Sequence, residues 1–182
     1  TELLQQLASG NDIKLFSCAV TGRLDVNRLF VTEENFDLSK LICENDSEKK
    51  ILHFAQNINF NSCTFEGDVF FAAPWDKPEQ LEVVFDNDVA FNSSTFAGQA
   101  QFSYAKFNAD ASFDGVSFKR IASFRFALFK AEAMFRTTEF EGYGLFTKVI
   151  FDGDTRFTNT CFSRGGNFTE VEFNGRTDFA GV

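Results

Sequence analysis

Phenylalanine recurs along this chain with a regularity that few folds can accommodate. From Phe85 the series runs Phe91, Phe96, Phe102, Phe107, Phe113, Phe118 and on to Phe179, in steps that alternate six and five residues without a miss. A second column sits two residues before each ring and holds only small side chains, among them Val89, Ser94, Ala100, Ala105, Ala111 and Val116. Residues two apart in an extended strand project to the same side. Both columns therefore point inward, and the Asn, Asp, Lys, Arg, Glu, Ser and Thr between them point out. Steps of five and six do not stay on one face of a 3.6-residue helix, and strict alternation never outlasts one pair. A solenoid of short strands joined at corners satisfies the pattern.

The length of one coil follows from space. Eleven residues would put two rings into each layer of a tube whose layers stack about 4.8 Å apart, which is too thin to hold them. Twenty-two residues give four short faces and four rings per layer. The ring columns then read Phe91, Phe113, Phe135, Phe157, Phe179 on one face and Phe102, Phe124, Phe146, Phe168 opposite. The other two are Phe96, Phe118, Phe140, Phe162 and Phe107, Phe129, Phe151, Phe173. Burying a ring of this size is worth roughly 1.5–3 kcal/mol, so four such columns can carry a fold. The 27 Phe of the chain, against 1 Trp and 2 Tyr, are read as core.

Stretches such as Phe102-Ser-Tyr-Ala-Lys-Phe107 and Phe113-Asp-Gly-Val-Ser-Phe118 resemble the pentapeptide-repeat family, and the likeness extends from about Asn59 onward. The resemblance implies an all-β fold, a right-handed four-sided β-helix. Two departures stand out: the central residue is Phe rather than Leu, and every second unit has six residues, which favours a coil of 22. Gly or Ala often lies two residues into the six-residue steps, as at Gly98, Ala109, Ala131, Gly142, Gly153 and Gly175. Glycine tolerates positive φ, so a wider, glycine-assisted corner is expected on two of the four sides. Many cyanobacterial proteins are similar, which suggests such a source.

The chain of 182 residues reads as one solenoid domain. Residues 1–12 form a helical cap, with Leu3, Leu4 and Leu7 as its apolar stripe and Gly10 as its stop. Residues 13–53 are irregular opening coils. There Val20–Val26 alternates like a strand, Leu24, Phe30, Phe36 and Leu41 keep roughly the spacing, and Glu44–Lys50 reads as a charged loop. Residues 54–182 carry the regular repeat. One excursion interrupts it near 74–82, because Phe71 and Phe85 stand nine residues too far apart. It holds Trp75 and both prolines, and a loop on a rigid scaffold is a candidate for contact. The array reaches Phe179 with no closing helix, so the expectation is a chain cut short or a bare end that pairs with another copy.

Candidate chemistry is sparse. The lone His53 has no accompanying motif, Asp152 and Asp154 flank a Gly corner as turn residues do, and Gly165-Gly166 lacks the Lys-Ser/Thr of a phosphate loop. No CxxC occurs among Cys18, Cys43, Cys63 and Cys161, so no cofactor or metal is expected. Cys63 fills an inward slot, whereas Cys161 points out, which favours a reducing compartment such as the cytoplasm. No apolar run is long enough to span a membrane. Net charge is −9, of which −7 lies in residues 1–84 and −2 in residues 85–182. Nucleic acid is not an expected partner, for want of a basic stripe with exposed aromatics. On a 22-residue coil, Tyr104 lies beneath Phe126 and Leu128 beneath Ile150, outward on one face, with Met134 around a corner. Such a patch, with Trp75, is the candidate contact for an unknown protein partner. The reading is a non-catalytic interaction scaffold rather than an enzyme. Two alternatives stay open. One is a DNA mimic of the kind that some pentapeptide-repeat relatives direct at DNA gyrase. The other is a soluble module of a larger membrane or signalling protein.

Overall fold

The computed structural model describes residues 2–30, 41–46, 49–73 and 81–182; Phe36 and Trp75 lie outside the described residues. One coil shows the plan. Val89–Ala90 forms a rung of the first face, Thr95–Phe96 of the second, Ala100–Gln101 of the third and Lys106–Phe107 of the fourth. Each face is a sheet whose rungs pair in parallel with the next coil. On the first face Val89 pairs with Ala111, Ala111 with Ala133, Ala133 with Thr155 and Thr155 with Thr177, so the interval is 22 residues at every step. The first two intervals are longer. Ile13 pairs with Ile58, 45 residues on, and Ile58 with Val89, 31 residues on. The second surplus is the nine residues counted between Phe71 and Phe85. Leu81 and Glu82 already belong to a strand, Leu81–Phe85, which pairs with Lys50–Phe54.

All four ring columns point inward and begin one coil before Phe85, at Phe54, Phe60, Phe65 and Phe71. Within a column the rings lie parallel: Phe102 on Phe124 at 5.2 Å and 6°, and Phe146 on Phe168 at 4.9 Å and 1°. Columns of the first and third faces meet edge to face along the axis, as in Phe113–Phe124 at 5.2 Å and 81° and Phe124–Phe135 at 5.4 Å and 85°. Both are favoured arrangements of the ring quadrupole. The small residues fill the space beside the rings. Where they carry a hydroxyl it is used, since Ser94 donates to the Phe60 carbonyl, Thr138 to Phe113 and Thr160 to Phe135 at 2.6–2.7 Å. These bonds satisfy groups that the tube hides from water.

The corners differ from expectation in their mechanism. Positive φ occurs in the five-residue steps, two residues after the ring: Ser93 (57°), Tyr104 (62°), Gly115 (64°), Phe126 (59°), Thr137 (53°) and Lys148 (56°). Each is the third residue of a tight turn closed by a bond such as Ser94 N–H to the Phe91 carbonyl, 3.0 Å. The six-residue corners are the wider ones, but their glycines serve close approach instead. A Cβ at Gly142 would lie 2.2 Å from the Arg120 carbonyl oxygen, and one at Gly153 2.2 Å from that of Ala131.

The opening coils are also built differently from the spacing. Val20–Val26 is not one strand: Ala19–Val20 lies on the second face and Leu24–Asp25 on the third, with Gly22 at φ 74° between them. Phe30 ends a 3-10 turn, Val26–Phe30, rather than a rung. The expected charged loop contributes to a hairpin instead, Ile42–Asp46 running antiparallel to Lys49–Phe54. The hairpin extends the fourth sheet by one strand beyond the parallel stack. The helix Glu2–Ala8 buries Leu4, Leu7 and Ala8 against the core and is tied down by Gln56, whose amide donates to the Leu7 carbonyl at 2.8 Å. Helix and hairpin thus share the protection of the opening edge.

Candidate functional site

Outward positions of a tube with fixed pitch align in columns, so side chains 22 apart form surface ladders. Tyr104 and Phe126 make one such ladder at the corner between the third and fourth faces, their rings 4.7 Å apart and 6° from parallel. Both occupy left-handed backbone, a conformation that bulky residues adopt rarely. Leu128 and Ile150 pair next to them as rungs of the fourth face. All four point outward and are half-buried. Met134 lies on the first face, half-buried, its sulfur 3.7 Å from Arg136 Nη2. That guanidinium is held in turn by Asp114 at 2.5 Å, which raises the arginine's pKa.

The patch extends further than these residues, over the third face. Ile121 and Tyr143 share a column there and are 37% and 52% exposed; among the described residues the other large apolar side chains this open, Phe16, Phe179 and Val182, belong to the first and last coils. Leu145 stands beside Tyr143. Between the column and the Tyr104–Phe126 corner runs a groove of about 710 Å³ floored by Phe70, Ile121 and Leu145. The signal for Ile121 and Tyr143 was present in the same 22-residue alignment that pairs Tyr104 with Phe126.

Arginines edge this apolar strip. Arg120 and Arg164 occupy one column at the corner before the third face, with Gly142 between them, and border a second recess of about 600 Å³ beside Tyr143. Two rungs place their backbones roughly 10 Å apart. Neither makes an ion pair among the described residues. Their neighbour Lys119 is taken by Glu141, whose carboxyl it holds below the usual range. Arg125, on the far edge, lies 5.7 Å from the Phe126 ring, and Arg23 covers the Phe70 ring at 4.3 Å while pairing with Asp25 at 2.7 Å. Basic groups and exposed aromatics thus meet along this strip, as separate arginines and not as a basic stripe. They come from different columns, and only the closed coil sets them side by side.

The acidic groups are placed otherwise. Asp88, Asp110, Glu132 and Asp154 form a column at the corner before the first face. Asp88 accepts the Asp110 N–H, Asp110 the Glu132 N–H at 3.0 Å, and Asp154 the Arg176 N–H at 3.0 Å, while Glu132 pairs with Arg156. The carboxylates of Asp88, Asp110 and Asp154 cap backbone donors that a wide corner leaves free. His53 Nδ1 is 3.0 Å from Asp86, which also accepts from Asn108 at 2.8 Å; among the described residues no nucleophile bonds to this pair. Among the described residues no group of three His, Cys, Asp or Glu is placed to hold a metal ion, and no helix is long and apolar enough to cross a membrane.

The family model described as pentapeptide repeats (9 copies) matches residues 91–139. No curated protein and no solved structure matches the chain. The matched segment lies inside a stack whose 22-residue register continues after it to Thr177 and whose ring columns reach back before it to Phe54 across a longer interval, a β-helix of the non-enzymatic scaffold kind. Residues 91–139 are pentapeptide repeats with phenylalanine at the centre of each unit, and the four-sided β-helix and aromatic ladder around them are consistent with a pentapeptide-repeat protein.

Proposed function

We propose that this protein is a non-catalytic scaffold whose third face and adjoining corner bind an extended segment of another protein, acidic in charge and carrying apolar side chains. The observation that carries the reading is the apolar strip of Ile121, Tyr143, Leu145, Tyr104 and Phe126, edged by Arg120, Arg125 and Arg164, in a chain of net charge −9. Leu128 and Ile150 extend the same contact onto the fourth face. A half-aliphatic strip suits peptide side chains better than bases, and the overall negative charge opposes a long polyphosphate. The rigid tube adds affinity by presenting its contacts preorganised.

The test uses three 12-residue peptides that alternate Leu or Phe with Glu, Gln or Lys, and a single-stranded oligonucleotide, each followed by fluorescence anisotropy. The Glu peptide is expected to bind at least tenfold more tightly than the Gln peptide, with affinity falling as salt rises. Arg120→Glu with Arg164→Glu, and separately Tyr143→Ser, should each weaken it. Equal binding of the Glu and Lys peptides, or preference for the oligonucleotide, overturns the proposal. Duplex mimicry is a second reading, favoured by the column Asp88, Asp110, Glu132 and Asp154. A gyrase supercoiling assay tests it, and undiminished supercoiling at excess protein refutes it.

A further inference from the structure

The inward column that carries Ser94, Val116, Thr138 and Thr160 begins with two cysteines. Cys18 precedes the rung Ala19–Val20 and Cys63 precedes Thr64–Phe65, and these rungs pair in register, Ala19 with Thr64. The Thr64 N–H bonds to the Cys18 carbonyl at 2.7 Å, so the two backbones are fixed beside each other. Their Sγ atoms are 2.8 Å apart and both thiols are free. In-register neighbours on parallel rungs are separated by about 4.8 Å, within the Cα separations that a disulfide accepts. Cys63 is buried, with its sulfur 3.4 Å from the Asn61 carbonyl and 3.5 Å from that of Leu15; Cys18 is half-buried and so retains some contact with solvent. No other rung of the column pairs two oxidisable groups.

We propose that Cys18 and Cys63 form a thiol–disulfide exchange site that staples the first coil to the second when the chain meets a small disulfide such as oxidised glutathione. The Cys18 thiolate attacks one glutathione sulfur, forming a mixed disulfide and releasing one glutathione thiolate. The Cys63 thiolate then attacks Cys18 Sγ, forming the internal bridge and releasing the second. Two protein thiols are oxidised, one glutathione disulfide is reduced to two thiols, and the protons from Cys18 and Cys63 end on the leaving glutathiones. Burial, followed by the contact with Cys63, pushes the Cys18 thiol up to about 11. The thiolate is therefore scarce at neutral pH, and the first step quickens about tenfold per pH unit until that value is reached. The bridge encloses residues 19–62, including the hairpin, and prevents the first coil from parting from the second.

The exposed Cys161 serves as an internal clock. The native chain is held with excess oxidised glutathione at pH 7.5 and pH 8.5, quenched in acid, digested and read by mass spectrometry. Expected are a peptide linking Cys18 to Cys63, lighter by about 2 Da than its parts, and a glutathione adduct of about 305 Da at Cys161. Bridge formation should run about tenfold faster at the higher pH. Amide protection should rise in the first coil, at Val20 and Leu24, and stay unchanged near Phe157. Cys63→Ser should abolish the bridge and leave glutathione on Cys18. If Cys161 reacts to completion while Cys18 and Cys63 both stay free, or each carries its own glutathione, or either pairs with a different cysteine, the proposal is overturned.

Discussion

Phe124→Ala tests what the ring columns contribute. Phe124 is fully buried and sandwiched between Phe102 at 5.2 Å and Phe146 at 5.1 Å, with Phe113 and Phe135 edge-on at 5.2 and 5.4 Å. The site cannot collapse readily. Its neighbours are flat rings, and the rungs above and below are pinned by Phe102 N–H to the Ser123 carbonyl and Phe124 N–H to Leu145, both 2.8 Å. The substitution should therefore cost about 3–5 kcal/mol, the range for emptying a well-packed aromatic site. Phe179→Ala is the same chemical change at the end of a column. That ring is 41% exposed and stacks on one side alone, on Phe157 at 4.9 Å, so about 1–2 kcal/mol is expected. Each coil touches only its neighbours, so the interior loss should also be local. Urea denaturation gives the totals, and native-state hydrogen exchange gives their distribution. For Phe124→Ala, protection should drop across the coils between Phe102 and Phe146 before it drops at Phe60 or Phe65. Equal losses for the two variants, or a uniform fall in protection, would refute the account of the columns as a stack of nearest-neighbour contacts.

Two further predictions concern the corners. Thr137→Gly should stabilise the protein by about 1 kcal/mol, because a β-branched residue stands at φ 53° and its hydroxyl bonds locally, to the adjacent Arg136 carbonyl; a lowered urea midpoint would contradict this. Gly153→Ala should destabilise by about 1–3 kcal/mol through the clash with the Ala131 carbonyl, in spite of the better conformational entropy of alanine; a neutral result in thermal melts would mean that the wide corner can open.

The period was legible because one residue type repeats inward without exception from Phe85, and a 22-residue interval was the only one that gave four rings room in a layer. Everything that follows from interior volume could be read the same way, including the buried Cys63 and the nine-residue surplus before Phe85. What could not be read depends on backbone detail. The left-handed residue falls at Tyr104, Phe126, Thr137 and Lys148, none of which advertises it, while the glycines that seemed made for it prevent collisions between coils. The hairpin of Ile42–Asp46 and Lys49–Phe54 was hidden because charged residues disguise the strands that prolong the fourth sheet.

The proposed contact surface was half legible for a related reason. Tyr104 and Phe126 declare themselves by a single spacing, but the arginine edge comes from separate steps of the repeat. Arg120 and Arg164 are the exceptions to Gly or Ala at the wide corner, and an exception in a tight repeat marks a position whose side chain has left the packing problem. The tube has no use for a guanidinium there, since neither arginine makes an ion pair among the described residues and the coil between them manages with Gly142, packed directly on the Arg120 backbone. Breaks in the outward columns, rather than the repeat that makes them visible, are therefore where the binding specificity of such a scaffold should be sought.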